Sequence, residues 1–152
     1  MRARIGVAFL ALALSASADQ ASMDVGAELI GTCQIDRVVP IDFGDLEQSR
    51  NSPNRTAVGA VLFWCSKGLR YKIKADDGLH SSKGSRRMKG EGSVNVDEYL
   101  SYDLRPRFSE HDSGMGPLYP VLFEMEAEVR GENYDPLSVG PLRDTVVVTI
   151  SP

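Results

Sequence analysis

The residues with most chemistry to offer are few: two cysteines, Cys33 and Cys65, and two histidines, His80 and His111. An even cysteine count in an exported chain most simply forms one disulfide. Closing that loop stabilises the fold by roughly 3.5 kcal/mol through the lost entropy of the open chain. A thiol metal site is the alternative, but no second ligand pair stands at metal spacing. Glu110-His111-Asp112 could form part of an acid–base set, but a single triplet in a loop is common, so no catalytic role is expected. His80 and His111 lie in polar stretches and are expected to be solvated. Asp76-Asp77 precedes Gly78 and has the chemistry of a turn; the twelve-position oxygen pattern of a calcium loop is absent. Gly90-Glu91-Gly92 and Gly114-Met115-Gly116 lack the strand-then-helix setting of a phosphate cradle. Asn54-Arg55-Thr56 spells a glycosylation acceptor, by chance in this context. Lys83, Arg86, Arg87 and Lys89 form a basic run, expected to be a solvated loop. Met115, Leu118 and Tyr119 are expected to be partly buried, with an exposed adhesive patch as the alternative. No cofactor, no metal and no enzymatic reaction are implied.

The start of the chain gives the context. Residues 1–18 have the form of a secretory signal: Arg2 and Arg4, an apolar run from Ile5 to Leu14, then Ala16-Ser17-Ala18. The run is too short to span a bilayer, so no membrane insertion is expected. Without Arg2 and Arg4, Lys plus Arg falls from 17 to 15 against 21 acidic residues, a net charge of −6. A mildly acidic exported domain lacks the basic footprint that nucleic acid requires. The remaining length suits one domain with one core.

The elements that would carry these residues are strands. Ala57–Cys65 is apolar on both faces, as in a strand covered on both sides. Leu69–Ala75 alternates Leu69, Tyr71 and Ile73 with Arg70, Lys72 and Lys74, and the short Ser66-Lys67-Gly68 turn before it predicts a hairpin. Residues 76–94 read as a long loop with a brief edge strand near Arg87 and Met88. Glu98–Arg105 is a strand with Leu100, Tyr102 and Leu104 inward. In Leu118–Val129, Val121, Phe123, Met125, Ala127 and Val129 alternate with Leu122 and Glu124, Glu126 and Glu128. The opposite charges of Arg70, Lys72 and Lys74 predict that these two strands are antiparallel neighbours, Arg70 near Glu128 and Lys74 near Glu124. Asp144–Ile150 closes the chain, with Val146, Val148 and Ile150 on one face. No amphipathic helix is predicted. Short strands separated by turn signals imply an antiparallel sandwich.

The N-terminal stretch 23–35, MDVGAELIGTCQI, alternates strictly: Met23, Val25, Ala27 and Leu29 on one face, Asp24, Gly26 and Glu28 on the other. A terminal segment is normally polar and frayed unless tied down. We read 19–31 as a strand made for insertion into a neighbouring molecule. On the residues alone, the first strand of its own domain stays open as the other reading.

Taken together, the motifs resemble the spore coat protein U domain family, which includes pilins of archaic chaperone–usher systems. The resemblance rests on Cys33-Gln34-Ile35, Ile41-Asp42-Phe43-Gly44, Gly59-Ala60-Val61 leading to Cys65, and Tyr71-Lys72-Ile73 ending in Asp77-Gly78. It continues through Arg86-Arg87-Met88, Leu100-Ser101-Tyr102-Asp103-Leu104 and the closing Asp144-Thr145-Val146-Val147-Val148-Thr149-Ile150. The chain departs from the pattern in having no tryptophan within 106–117. The resemblance implies an all-β, immunoglobulin-like antiparallel β-sandwich over residues 32–152 that lacks its last strand. It is completed by donor-strand complementation. Met23, Val25, Ala27 and Leu29 would fill the groove of an adjacent subunit, and the acceptor edge would be Val146, Val148 and Ile150. The implied partners are identical or related pilin subunits, a periplasmic chaperone and an outer-membrane usher. The product would be a surface fibre assembled after export through the periplasm. A spore or cell-surface coat built by the same edge pairing is the first alternative, and a monomeric secreted binding domain the second.

Overall fold

The structure, a computed structural model, describes residues 19–108 and 113–152. The signal-like residues 1–18 and the triplet Glu110-His111-Asp112 lie outside the described residues. The fold is all-β and antiparallel. Its strands are β1 (Cys33–Val39), β2 (Arg55–Cys65), β3 (Lys72–Ala75), β4 (Arg86–Gly90), β5 (Tyr99–Phe108), β6 (Val121–Val129), β7 (Leu142–Arg143) and β8 (Val148–Ser151). One helical turn, α1 (Gly131–Tyr134), interrupts the last connection. A six-stranded sheet runs β1-β2-β6-β5-β4-β7, and β3 and β8 form a separate ribbon. This two-layer arrangement is consistent with an immunoglobulin-like sandwich.

Inward residues of the two layers make the core. Phe63, Cys65, Tyr71, Phe123 and Met125 form one cluster, closed from the ribbon side by Ile73, Ala75, Val148 and Ile150. Phe63 and Tyr71 meet edge to face, with ring centres 5.1 Å apart, the arrangement aromatic quadrupoles favour. Leu100, Tyr102, Ala127, Val129 and Tyr134 form the second cluster, with Ile41, Phe43 and Leu46 folded over it from the segment after β1. The two-sided apolar pattern of β2 is matched in part: Val61, Phe63 and Cys65 are buried on one face, and Leu62 and Trp64 on the other are half-buried. The strand is central, paired with β1 on one side and β6 on the other, and its Phe63 is fully buried.

Three expectations are corrected. The Ser66-Lys67-Gly68 turn does not make a hairpin: β3 pairs with β8, from Lys72↔Ser151 to Ala75↔Val148. The chain leaves the first sheet because Tyr71, Ile73 and Ala75 are needed to cover the β2–β6 face. Consequently Arg70, Lys72 and Lys74 are not neighbours of Glu124, Glu126 and Glu128, which stand on the other layer. The acidic row draws its cations from β5 instead. Arg105 Nη2 lies 2.5 Å from Glu126 Oε1 and 3.9 Å from Glu128 Oε2, and Arg107 Nε lies 3.7 Å from Glu126 Oε2. Third, the brief strand near Arg87 and Met88, β4, is an edge only in part: it pairs with β5 from Arg86 to Lys89, and β7 covers its other side at Lys89 and Gly90.

The turn α1 fell within a stretch whose two prolines and two glycines spell a loop. It is held by long-range contacts rather than by local propensity. Gly131 N–H donates to Asn54 Oδ1 (3.1 Å), Tyr134 O–H donates to the Pro53 carbonyl (2.7 Å), and Gln48 Nε2–H donates to the Tyr134 carbonyl (2.8 Å). A side chain at Gly131 would meet the Ser52 backbone, so this close approach requires glycine. Asn54 accordingly has a structural role in holding the turn.

Candidate functional site

The N-terminal segment belongs to neither sheet. Residues 19–31 have no regular secondary structure and are exposed throughout, Met23 by 87%, Val25 by 92% and Leu29 fully. Of the alternating stretch 23–35, only Cys33–Ile35 is incorporated in β1. The segment joins the body where Thr32 N–H donates to Ser66 Oγ (3.0 Å) and the Thr32 carbonyl accepts from Ser66 N–H (2.8 Å). The Cys33–Cys65 disulfide follows at once and links directly opposed residues of β1 and β2. The cysteine pairing is thus as expected.

A second feature lies across the sandwich. Among the described residues β8 pairs on one side only, with β3. Val148 and Ile150 point into the Phe63 cluster and Val146 into the Leu100 cluster, whereas Val147 is outside. The three residues expected to share an inward face therefore do so. On the opposite layer β1 is the sheet edge, and its register sets Ile35 against Phe63 and Val38 against Val61. Directly opposed residues point to the same face, so Ile35 and Val38 are on the core side. They nonetheless remain 44% and 62% exposed. The core face is uncovered at this border. The register slip between Ile35 and Arg37 turns both Ile35 and Val38 inward despite their odd spacing. Strict period-two reading cannot find Val38; an irregularity near Asp36 was the missing information.

The approach to β8 is fixed by a buried polar group. The Asp144 side chain is only 4% exposed and accepts three hydrogen bonds. They come from Tyr102 O–H to Oδ2 (2.7 Å), from His80 N–H to Oδ1 (3.1 Å) and from the His80 ring Nδ1 at 3.1 Å. Burial, followed by the bond to Asp144, pushes the Tyr102 phenol well above its ordinary range. His80 is therefore not a solvated loop residue but a partner of a buried carboxylate. Asp76 behaves as expected of a turn residue, with Oδ1 accepting from Gly78 N–H (3.0 Å), and it also accepts from Val147 N–H (2.9 Å). Gly78 has φ +86° and lies so close to Asp144 that a side chain would collide with the carboxylate. The basic run is also partly engaged within the chain: Arg86 donates to the Asp76 carbonyl, and Arg87 donates to the His80 carbonyl and stacks 4.3 Å over Tyr99. Met115, Leu118 and Tyr119, expected to be partly buried, are 50%, 85% and 63% exposed. Among the described residues no three His, Cys, Asp or Glu side chains stand together as a metal ion would need. No helix among them is long and apolar enough to cross a membrane.

The family model of the Spore Coat Protein U domain matches residues 19–105, more than half of the chain. The chain belongs to the Spore Coat Protein U domain family. The matched span starts with the exposed N-terminal segment and runs into β5; the Asp144–Ile150 motif lies beyond it. No curated protein matches the chain. Among solved structures it is similar to the crystal structure of the CsuC-CsuE chaperone-tip adhesion subunit pre-assembly complex, from archaic chaperone-usher Csu pili of Acinetobacter baumannii. The identity is 18% and the TM-score 0.48. The similarity covers 80% of this chain but 39% of that one, so this Spore Coat Protein U domain chain spans about two-fifths of its length.

Proposed function

We propose that this chain is a non-enzymatic structural subunit of a surface pilus that joins copies by donor-strand exchange. Residues 19–31 form a strand only when received by another copy. Met23, Val25, Ala27 and Leu29 then enter the groove bordered by Val148 and Ile150 on β8, with Val146 just before it, and by Ile35 and Val38 on β1. A periplasmic chaperone fills that groove until an outer-membrane usher exchanges it for the incoming strand, and the fibre stands on the cell surface in adhesion and biofilm formation. The observation that carries the reading is the exposed apolar row at Met23, Val25 and Leu29, on a segment with no home sheet. It is supported by the unpaired edge of β8 and the uncovered core face beside it. Such surfaces are aggregation hazards unless filled, and strand addition satisfies backbone and side chains together. The contact is head-to-tail and does not close on itself, so its product is a filament.

The test compares the purified chain with its Val25→Asp and Leu29→Asp variants, by size exclusion and electron microscopy. Burying an unpaired carboxylate in the groove costs several kcal/mol, of the order found for uncompensated buried polar groups. The variants are expected to lose polymers while their monomers still bind a 19–31 peptide of native sequence. Polymers equal to those of the native chain would overturn the proposal. The family description favours one second reading, a coat layer built by the same edge pairing; sheets rather than filaments in the microscope would select it.

A further inference from the structure

We propose that the exposed loop Met115–Tyr119 is a docking surface for a second copy of this chain, a contact between subunit bodies beside the exchanged strand. The inference rests on the strand-exchange reading above. Leu29 is the last plug residue, yet Thr32 is already bonded to Ser66 and Gly31 abuts the Leu69 side chain of its own body. Only Ile30 and Gly31 lie between. An extended chain advances about 3.3 Å per residue, so the copy that receives Leu29 is held within about 10 Å of the donor's Thr32. A body so close cannot swing free; it must rest on whatever surrounds that root.

What surrounds the root is this loop. Ser66 bonds Thr32, and its neighbour Cys65 carries the disulfide to Cys33. The Cys65 carbonyl accepts from Gly116 N–H (3.0 Å), the Gly114 carbonyl accepts from Gly68 N–H (2.9 Å), and the Gly116 carbonyl accepts from Tyr119 N–H (3.1 Å). The loop is pinned by backbone bonds while its side chains Met115, Leu118 and Tyr119 face water. Pro117 and Pro120 bracket Leu118 and Tyr119, which lowers the ordering entropy a contact must overcome. Ile30, out of step with the four plug residues and 87% exposed, adds an apolar side chain at the same seam.

The experiment uses the full chain, with Leu118→Asp plus Tyr119→Ser as the strong variant and Leu118→Ala as the mild one. The substitutions lie on a surface loop, and an unchanged monomer melt verifies folding. Both variants are expected to bind the 19–31 peptide like the native chain and to polymerise. Strong-variant polymers should dissociate in denaturant at least about tenfold faster, as the lost burial of a leucine and a tyrosine implies. The mild variant should fall between, and subunit angles should spread in electron micrographs. Polymers indifferent to both substitutions overturn the contact alone. Unchanged polymers that lose attachment to hydrophobic surfaces also overturn it, in favour of an adhesive patch. A native chain that neither polymerises nor binds the peptide overturns strand exchange, and this contact with it.

Discussion

Strands β6 and β8 share one pattern and live under different conditions. Both alternate inward apolar residues with outward ones: Phe123, Met125, Ala127 and Val129 in β6, and Val148 and Ile150 in β8, continuing Val146 before it. β6 is paired along both edges, with β2 and β5, and its inward residues are buried. β8 is paired along one edge, and its inward residues are only half-buried. The alternation therefore reports which face a residue takes and says nothing about how many edges are satisfied. Sheet completeness is a property of neighbours, and it separates a strand paired on both edges from one with an edge left open.

The comparison can be strained most by truncating each strand. Phe123→Ala in β6 should cost about 3–5 kcal/mol, the usual loss for a buried phenylalanine, in denaturant melts. Val148→Ala in β8 should cost clearly less in the free monomer and more once a 19–31 peptide is bound. Equal costs in both states would mean that β8 is already finished. Replacing Cys33 and Cys65 by serine removes the covalent tie between β1 and β2 and should cost roughly 3.5 kcal/mol by the loop-entropy estimate. Melts with and without reductant measure it, and a shift near zero would show the strand pairing alone to be sufficient.

Asp144→Asn tests what positions β8. Two hydroxyl or amide donors and a ring nitrogen then face a neutral amide, and stability should fall by about 1.5–3 kcal/mol, the range for hydrogen bonds to charged groups. Tyr102 gives the same junction a pH signature. Its folded pKa is raised above the unfolded value, so the associated stability is complete below pH ~10 and is lost as pH climbs through the raised value. Tyr102→Phe should flatten the alkaline decline seen in native melts; an identical decline would assign it elsewhere. The smallest effect is expected at the outer face of β6. Arg105→Ala removes the exposed partner of Glu126 and Glu128, and such pairs are screened by water. The melt should not move beyond experimental error, and a measurable drop would show the charge row to be cooperative.

The sequence carried the faces well and the neighbours poorly. Ala57–Cys65, Glu98–Arg105 and Leu118–Val129 are legible because their alternation is long and uninterrupted. The sheet assignment of Lys72–Ala75 is not, because a three-residue turn is compatible with a hairpin and with a crossing to the other layer; the choice is made by which core needs Tyr71 and Ile73. Charge complementarity misled for a related reason: Arg105 and Arg107 satisfy the glutamates as well as Lys72 and Lys74 could. The inward turn of Val38 depends on a one-residue slip in β1, which leaves no mark in composition. His80 looked solvated because its partner Asp144 lies 64 residues away.

The position of the disulfide has a mechanical consequence. Any tension applied through the N-terminal segment enters the body at Thr32 and Cys33. At an edge strand held only by hydrogen bonds, that load would unzip one pair after another. Here the covalent bridge hands the pull to Cys65 at the end of β2, an interior strand gripped on both flanks, so the force is borne in shear by the whole sheet.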